Sequence, residues 1–325
     1  MIDVVNNKEG FTLVELMVAM AISLVVMGAI FLTFKSQQDS YVIQTQISAM
    51  QQNVRAAMYM LTRDIQMAGY YTNFDADNYT MDWDDVDNDN DPTTGTDIIR
   101  PLIYGQNNVN VAGDNIKDNT DVIVIVKASS EGRPLGPGED ATAGIITLTS
   151  RDLDGDGDND LDTLTKRYGL LARGDLSSAE FFKVDSASGT ITPPGGLAQN
   201  YVAGDLIFRA DVIIYRIDED VTNPDLRRKN LGDNTGYQVV AENIDNLQFR
   251  YLLNDGDLVD ADDIKFNPPN VRAVEISLLA RTANTNRGYI DNNTYWMGGA
   301  NVGPIGDAYR RKLLCSIIKT RNIGL

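Results

Sequence analysis

Two places in this 325-residue chain concentrate side chains that could do chemistry. In Asp152-Leu153-Asp154-Gly155-Asp156-Gly157-Asp158-Asn159-Asp160 a carboxylate recurs at every second position. Hard cations such as calcium need several oxygens at once, and this stretch fits the first nine positions of an EF-hand loop, with acids at positions 1, 3, 5 and 9 and the turn glycine at 6. Position twelve is Thr163 instead of a bidentate glutamate, and no flanking helix pair is evident. Two readings stay open for Asp152, Asp154, Asp156, Asp158 and Asp160: an irregular calcium loop, or a solvated acidic loop with no fixed ion. Asp75–Asp91, with eight Asp in 17 residues, and Asp255–Asp263, with five in nine, read as solvated acidic loops.

The second place is Glu15, a lone carboxylate in the run Phe11–Phe34, which is otherwise apolar except for Thr12, Ser23 and Thr33. A charge inside a bilayer costs roughly 2.5–3.5 kcal/mol on lenient scales, so such a group has a partner or stays near the headgroups.

Composition removes much other chemistry. The chain has no histidine, and with it go the commonest general base and transition-metal ligand. Its one cysteine, Cys315, cannot close an internal disulfide, and the surrounding Leu313-Leu314-Cys315-Ser316-Ile317-Ile318 predicts a small buried hydrophobe. Carboxylate or Ser/Lys catalysis is all that remains, and no nucleophile elbow, phosphate-binding glycine loop or zinc spacing accompanies it. No enzyme is expected. A formal net charge of −18 argues against nucleic acid as a partner. The basic clusters Arg227-Arg228-Lys229 and Arg310-Arg311-Lys312 read as solvated loop and strand-edge charges.

The elements that would position these groups are legible in outline. As a helix the 24 residues from Phe11 to Phe34 span about 36 Å, enough to cross a bilayer. The small residue Gly10 precedes the apolar run and no Ala-x-Ala site follows it, so the run should survive processing. Beyond it Ile43, Ile47, Met50, Val54, Ala57, Leu61, Ile65 and Ala68 recur in steps of three and four. One helix is therefore predicted from about Phe11 to Ala68, with Gly69 as its terminator. Strands are predicted at Asp97–Tyr104, Asp121–Lys127, Gly144–Thr149, Glu180–Val184, Leu206–Ile217, Leu247–Leu253, Val271–Arg281 and Arg311–Thr320, with a short helical turn over Val239–Ile244. The fold class is α+β, a long helix on antiparallel sheet with long acidic loops.

Gly10-Phe11-Thr12-Leu13-Val14-Glu15 followed by an apolar helix resembles the start of type IV pilin-like proteins. Leu61–Tyr70, Val240–Tyr251, Val271–Arg281 and Tyr309–Asn322 are similar to segments of PilW-type minor pilins, a plan shared by the J-type pseudopilins of type II secretion. The resemblance implies a leader at 1–10, a membrane and filament-core helix at 11–34, an amphipathic extension at 35–70 and an extracytoplasmic β-rich domain at 71–325. It implies that a prepilin peptidase cuts between Gly10 and Phe11, that the Phe11 amine is methylated, and that Glu15 meets the amine of a neighbouring subunit.

Charge does not orient the span, because Lys8 is offset by Asp3 and Glu9 and Lys35 follows it. The leader-inside topology is implied by the resemblance alone, with the chain first in the inner membrane and later at the cell surface. Its expected partners are the peptidase, other minor pilins, the major pilin and the assembly platform. Alternative roles are a J-type pseudopilin or a calcium-dependent adhesin at a pilus tip.

Overall fold

The computed structural model describes residues 10–70, 102–110, 116–162 and 168–323, apart from 185, 187–188, 194–195, 221–222 and 232–235. The acidic stretch 75–91, the beginning of the strand expected at Asp97–Tyr104, and Thr163 lie outside the described residues. The chain divides into two compact units, Met1–Ser48 and Ala49–Leu325.

The first unit holds most of helix α1 (Leu13–Met67). No proline interrupts its apolar half, and α1 is long and apolar enough to cross a membrane. Its large side chains from Phe11 to Phe34 are all exposed, Phe11 to 90%. So much bare apolar surface calls for lipid or another helix to cover it.

In the second unit the seam read from the sequence is buried. Met50, Val54, Ala57, Leu61, Ile65 and Ala68 point inward, and each large aliphatic among them contributes roughly 1.5–3 kcal/mol by leaving water. The helix stops where expected. Gly69 takes φ +72°, and its N–H donates to the Val126 carbonyl at 3.0 Å.

The β-rich remainder contains two main sheets. The larger joins β1 (Ile103–Val109), β2 (Thr120–Pro134), β5 (Tyr168–Ala172), β6 (Ala179–Lys183), β7 (Leu206–Ile217), β8 (Leu226–Asn230) and β9 (Gln238–Ala241). Between β2 and β5 lies a small hairpin, β3 (Asp140–Thr142) with β4 (Ile145–Thr147). Strand β7 is the hub: β2 lies along one side, while β5 pairs at Leu206–Arg209 and β8 at Ile213–Ile217 on the other. Both faces are covered. Val124, Val126, Leu170, Val212 and Ile214 belong to one apolar cluster, and Leu171, Phe182, Ile207 and Ile146 to a second. Ala210–Ile217 is buried at every residue: Ala210, Val212 and Ile214 lie in the first cluster, and Tyr215, on the alternate face, meets Asp64 of α1.

The smaller sheet has the order β11 (Leu258–Val259), β10 (Ile244–Leu253), β12 (Val271–Arg281), β15 (Arg311–Lys319), all antiparallel. Between β12 and β15 comes the hairpin of β13 (Tyr295–Met297) and β14 (Ala300–Val302).

Three expectations are corrected. Val239–Ile244 is not a helical turn: β9 ends at Ala241, Asn243 turns the chain at φ +59°, and β10 begins at Ile244. Cys315 is exposed rather than buried, because β15 is an edge strand and Cys315 lies on the face opposite Ile318. The basic clusters are largely engaged inside the domain rather than solvated. Arg227 pairs with Asp218, Arg228 with Asp64, and the Arg311 side chain is only 1% exposed.

Candidate functional site

The start of α1 is a reciprocal cap. Thr12 donates both its N–H and its hydroxyl to Glu15 Oε2 at 2.9 Å, and the Glu15 N–H returns to Thr12 Oγ1 at 3.3 Å. Ser/Thr-x-x-Glu is the sequence form of this capping box, worth about 1 kcal/mol to a helix start. The carboxylate also meets the positive end of the helix dipole. Thr12 is thus the local partner of Glu15, a pairing that the Thr-x-x-Glu spacing signals. Gly10 and Phe11 lie just before the cap, both exposed, with open space where a Gly10 side chain would be. The arrangement leaves the Gly10–Phe11 bond outside the helical hydrogen bonding and Glu15 held by its own chain.

The other end of α1 is fixed by buried charge. Asp64 Oδ2 accepts the Tyr215 hydroxyl at 2.6 Å and Arg228 Nε at 2.9 Å. Burial and the adjacent Asp64 charge push the Tyr215 hydroxyl well above its ordinary value, so it stays a donor. Asn322 Nδ2 donates to the Ala68 carbonyl at 3.2 Å, tying the final segment to the helix exit.

A second ion cluster surrounds Arg311. It bonds Asp307 through two nitrogens at 2.6 Å each, Asp291 at 3.0 Å and Asp245 at 2.7 Å. Lys117 completes Asp245 at 2.6 Å. Burial raises the Asp245 and Asp291 carboxyls, but Lys117 and Arg311 outweigh it at the first, and Arg311 with Tyr295 at the second, so both lie below the usual range. The Arg311 bonds lower Asp307 as well. Each charge has a geometrically good partner, as buried ions require.

The acidic loop 152–160 is an exposed crown on a buried base. Leu153 and Leu161 sit in the second apolar cluster. Arg151, itself buried, donates to the carbonyls of Ser186 at 2.5 Å and Gly189 at 3.1 Å. Asp160 is buried and accepts the Leu153 N–H at 2.6 Å. Above this base, oxygens of Asp152, Asp154 and Asp156 lie within 4.8 Å of one another.

Of the five aspartates expected to act together, the structure brings together these three. Asp160 faces the interior, and Asp158 is not in the group. Asp152 also accepts the N–H groups of Gly155 at 2.6 Å and Gly157 at 3.0 Å, and both glycines have positive φ. The Asp158 N–H lowers the Asp156 carboxyl, yet its contact with the Asp158 side chain and the charges of Asp154 and Asp158 leave it raised. Three carboxylates that crowd one another in this way can be relieved by a proton or a cation.

Residues 5–31 match the family model of the prokaryotic N-terminal methylation motif. Residues 214–322 match that of type IV pilus-assembly protein W. No curated protein and no solved structure matches the chain. The first match contains Gly10, Phe11, Thr12 and Glu15. The second contains Tyr215, Arg228, Asp245, Asp291, Asp307 and Arg311, the partners that close both ion clusters. The acidic crown falls outside both. The chain is thus similar in these two segments to type IV pilus proteins, and its long apolar helix followed by antiparallel sheet is consistent with the α+β fold of type IV pilin-like proteins.

Proposed function

We propose that this chain, similar at both ends to type IV pilin-like minor pilins, waits in the inner membrane and joins or primes a pilus through its first helix. A prepilin peptidase removes residues 1–10 by cutting between Gly10 and Phe11, and the new Phe11 amine is methylated. Residues 11–34 then move from lipid into a filament core, with 35–70 extending the helix. The domain 71–325 faces the periplasm and, after assembly, the cell surface, where it contacts other minor pilins and the major pilin.

One observation carries the reading: the exposed apolar stretch 11–34 has Glu15 as its only acid, at the first turn of α1. In the free subunit Thr12 satisfies that acid locally. On assembly a neighbour's Phe11 amine offers a stronger, charged partner, since opposite charges attract far more in low dielectric than in water. The helix is covered by neighbouring helices at the same step.

Substitution tests both halves. Gly10→Ala should block cutting and leave uncut precursor in the membrane. Glu15→Ala should be cut but fail to enter filaments. Either variant processed and assembled at wild-type levels would contradict the scheme.

We also propose that Asp152, Asp154 and Asp156 hold a calcium ion, supplemented by backbone carbonyls and water. What favours this is the convergence of three carboxylates above the buried side chains of Leu153 and Leu161.

A further inference from the structure

Strand β15 ends the smaller sheet, and among the described residues no strand lies beyond it. Its pairing with β12 runs from Ala273↔Lys319 to Arg281↔Arg311 without a bulge. The Thr282 N–H donates to the Arg310 carbonyl at 2.9 Å, and the Thr320 N–H to the Arg272 carbonyl at 3.0 Å. Antiparallel ladders alternate, so the even-numbered residues from 310 to 320 turn their backbone groups toward β12. Those of Arg311, Leu313, Cys315, Ile317 and Lys319 aim away from the sheet. At about 3.4 Å per residue, the strand presents roughly 30 Å of regular edge.

Such an edge is a template for another strand, and proteins usually blunt one with a proline, a bulge or lysines. Strand β15 has no proline and no bulge, and its middle is apolar: Leu313 and Leu314 are half-buried, and Ile317 is 61% exposed. Only its charges guard it. Lys312 and Lys319 are exposed, as is Arg321 just beyond, and none of the three forms an ion pair among the described residues. Elsewhere in the domain Lys117, Arg133, Arg228 and Arg311 each hold an acid.

These cations decide which strand fits. In a second copy laid antiparallel on the same edge and centred on Cys315, the Lys319 of each chain would stand beside the Arg311–Lys312 pair of the other, at both ends. Like charges placed so oppose the pairing. A strand with acids at those two places would be drawn in instead. Charge beyond about 8 Å is screened at physiological salt, so these local cations, rather than the net charge of −18, set the preference.

We propose that β15 accepts one antiparallel strand from a partner protein, a segment apolar in its middle and carrying two acidic residues seven positions apart, one opposite Lys312 and one opposite Lys319. The odd interval puts the two acids on opposite faces of the added strand, as Lys312 and Lys319 lie on opposite faces of β15. Its backbone bonds Leu313, Cys315 and Ile317, which supplies affinity, while the end charges and the cover over Ile317 supply selectivity.

The probe is a fluorescein-labelled peptide of alternating valine and threonine with two aspartates seven positions apart, titrated into the full chain in detergent and followed by anisotropy. Saturable binding is expected, about tenfold weaker when lysines replace the aspartates, since two surface attractions become two repulsions. Lys312→Glu combined with Lys319→Glu should reverse that preference. On binding, hydrogen–deuterium exchange should slow at the Leu313, Cys315 and Ile317 amides and change little at Lys312, Leu314 and Ser316, whose amides already face β12. Ile317→Pro removes one outward N–H and no bond to β12, and should weaken binding about tenfold. If that variant does not fold, the charge-reversed pair decides. No saturable binding, an unreversed preference in the double variant, or unslowed exchange at the three outward amides would overturn the proposal. So would slowing of those amides without peptide as the protein concentration rises, which would make the occupant a second copy.

Discussion

Asp64 on the helix and Tyr215 on β7, 151 residues apart in sequence, share a 2.6 Å hydrogen bond inside the domain, and Arg228 closes the same carboxylate from β8. The helix exit is thus fixed to the sheet by charge as well as by apolar contact. Asp64→Ala would leave Arg228 and the Tyr215 hydroxyl without their acceptor. We expect a loss of about 3 kcal/mol in chemical unfolding, the lower end for a broken buried pair because Arg228 is partly exposed. Substituting the exposed neighbour Arg63 by Ala should stay within about 0.5 kcal/mol. A similar small loss at Asp64 would remove this role.

Acid should destabilise the domain through a different set of carboxylates. The Arg133 bond holds the Glu139 carboxyl well below its ordinary value despite burial, helped by Thr149 and the Gly136 N–H. Asp245, Asp291 and Asp307 are held low as described. For such groups the stabilisation is present above the unfolded value and is lost as pH falls through the folded one. Thermal unfolding of the full chain should therefore decline below about pH 4, where free carboxylates begin to protonate. Glu139→Gln should shorten that decline. A midpoint that does not change from pH 5 to pH 2.5 would contradict it.

Calcium should raise the thermal midpoint of the domain, and Asp154→Ala should abolish the rise while leaving the metal-free midpoint nearly unchanged, since Asp154 is exposed. The control is Asp158→Ala, outside the three-carboxylate group, which should keep most of the response. No shift in the unmodified protein would remove the ion from the account.

Cys315 should react with a maleimide in the folded protein at a rate close to that of a free thiol, because it stands on the outer face of the edge strand β15. Protection until unfolding would restore the buried reading.

Some parts of this architecture could be read from sequence, for identifiable reasons. Leu206–Ile217 and Val271–Arg281 were predicted with the bounds the strands have, because Val- and Ile-rich runs between polar turns have little alternative to buried strand. The helix seam and its Gly69 stop were equally plain. Leu226-Arg-Arg-Lys-Asn230 gave no strand signal: its charges are satisfied by Asp218 and Asp64, and a contact 164 residues away leaves no local pattern. Val239–Ile244 was too short for periodicity to separate strand from turn. Cys315 was misread because apolar company says little about which face of an edge strand a residue occupies. In the acidic loop the spacing put Asp152, Asp154, Asp156, Asp158 and Asp160 in one group, of which only the first three converge; the packing of Leu153 and Leu161 shows why Asp160 turns inward.

The most direct measurement is the mass and first residue of the mature protein recovered from assembled filaments. The account predicts a chain that begins at Phe11 and carries one added methyl group on its amine, with Glu15→Ala cut at the same bond but missing from the filament fraction. Filaments containing a chain that retains residues 1–10, or one that begins at any other residue, would contradict it.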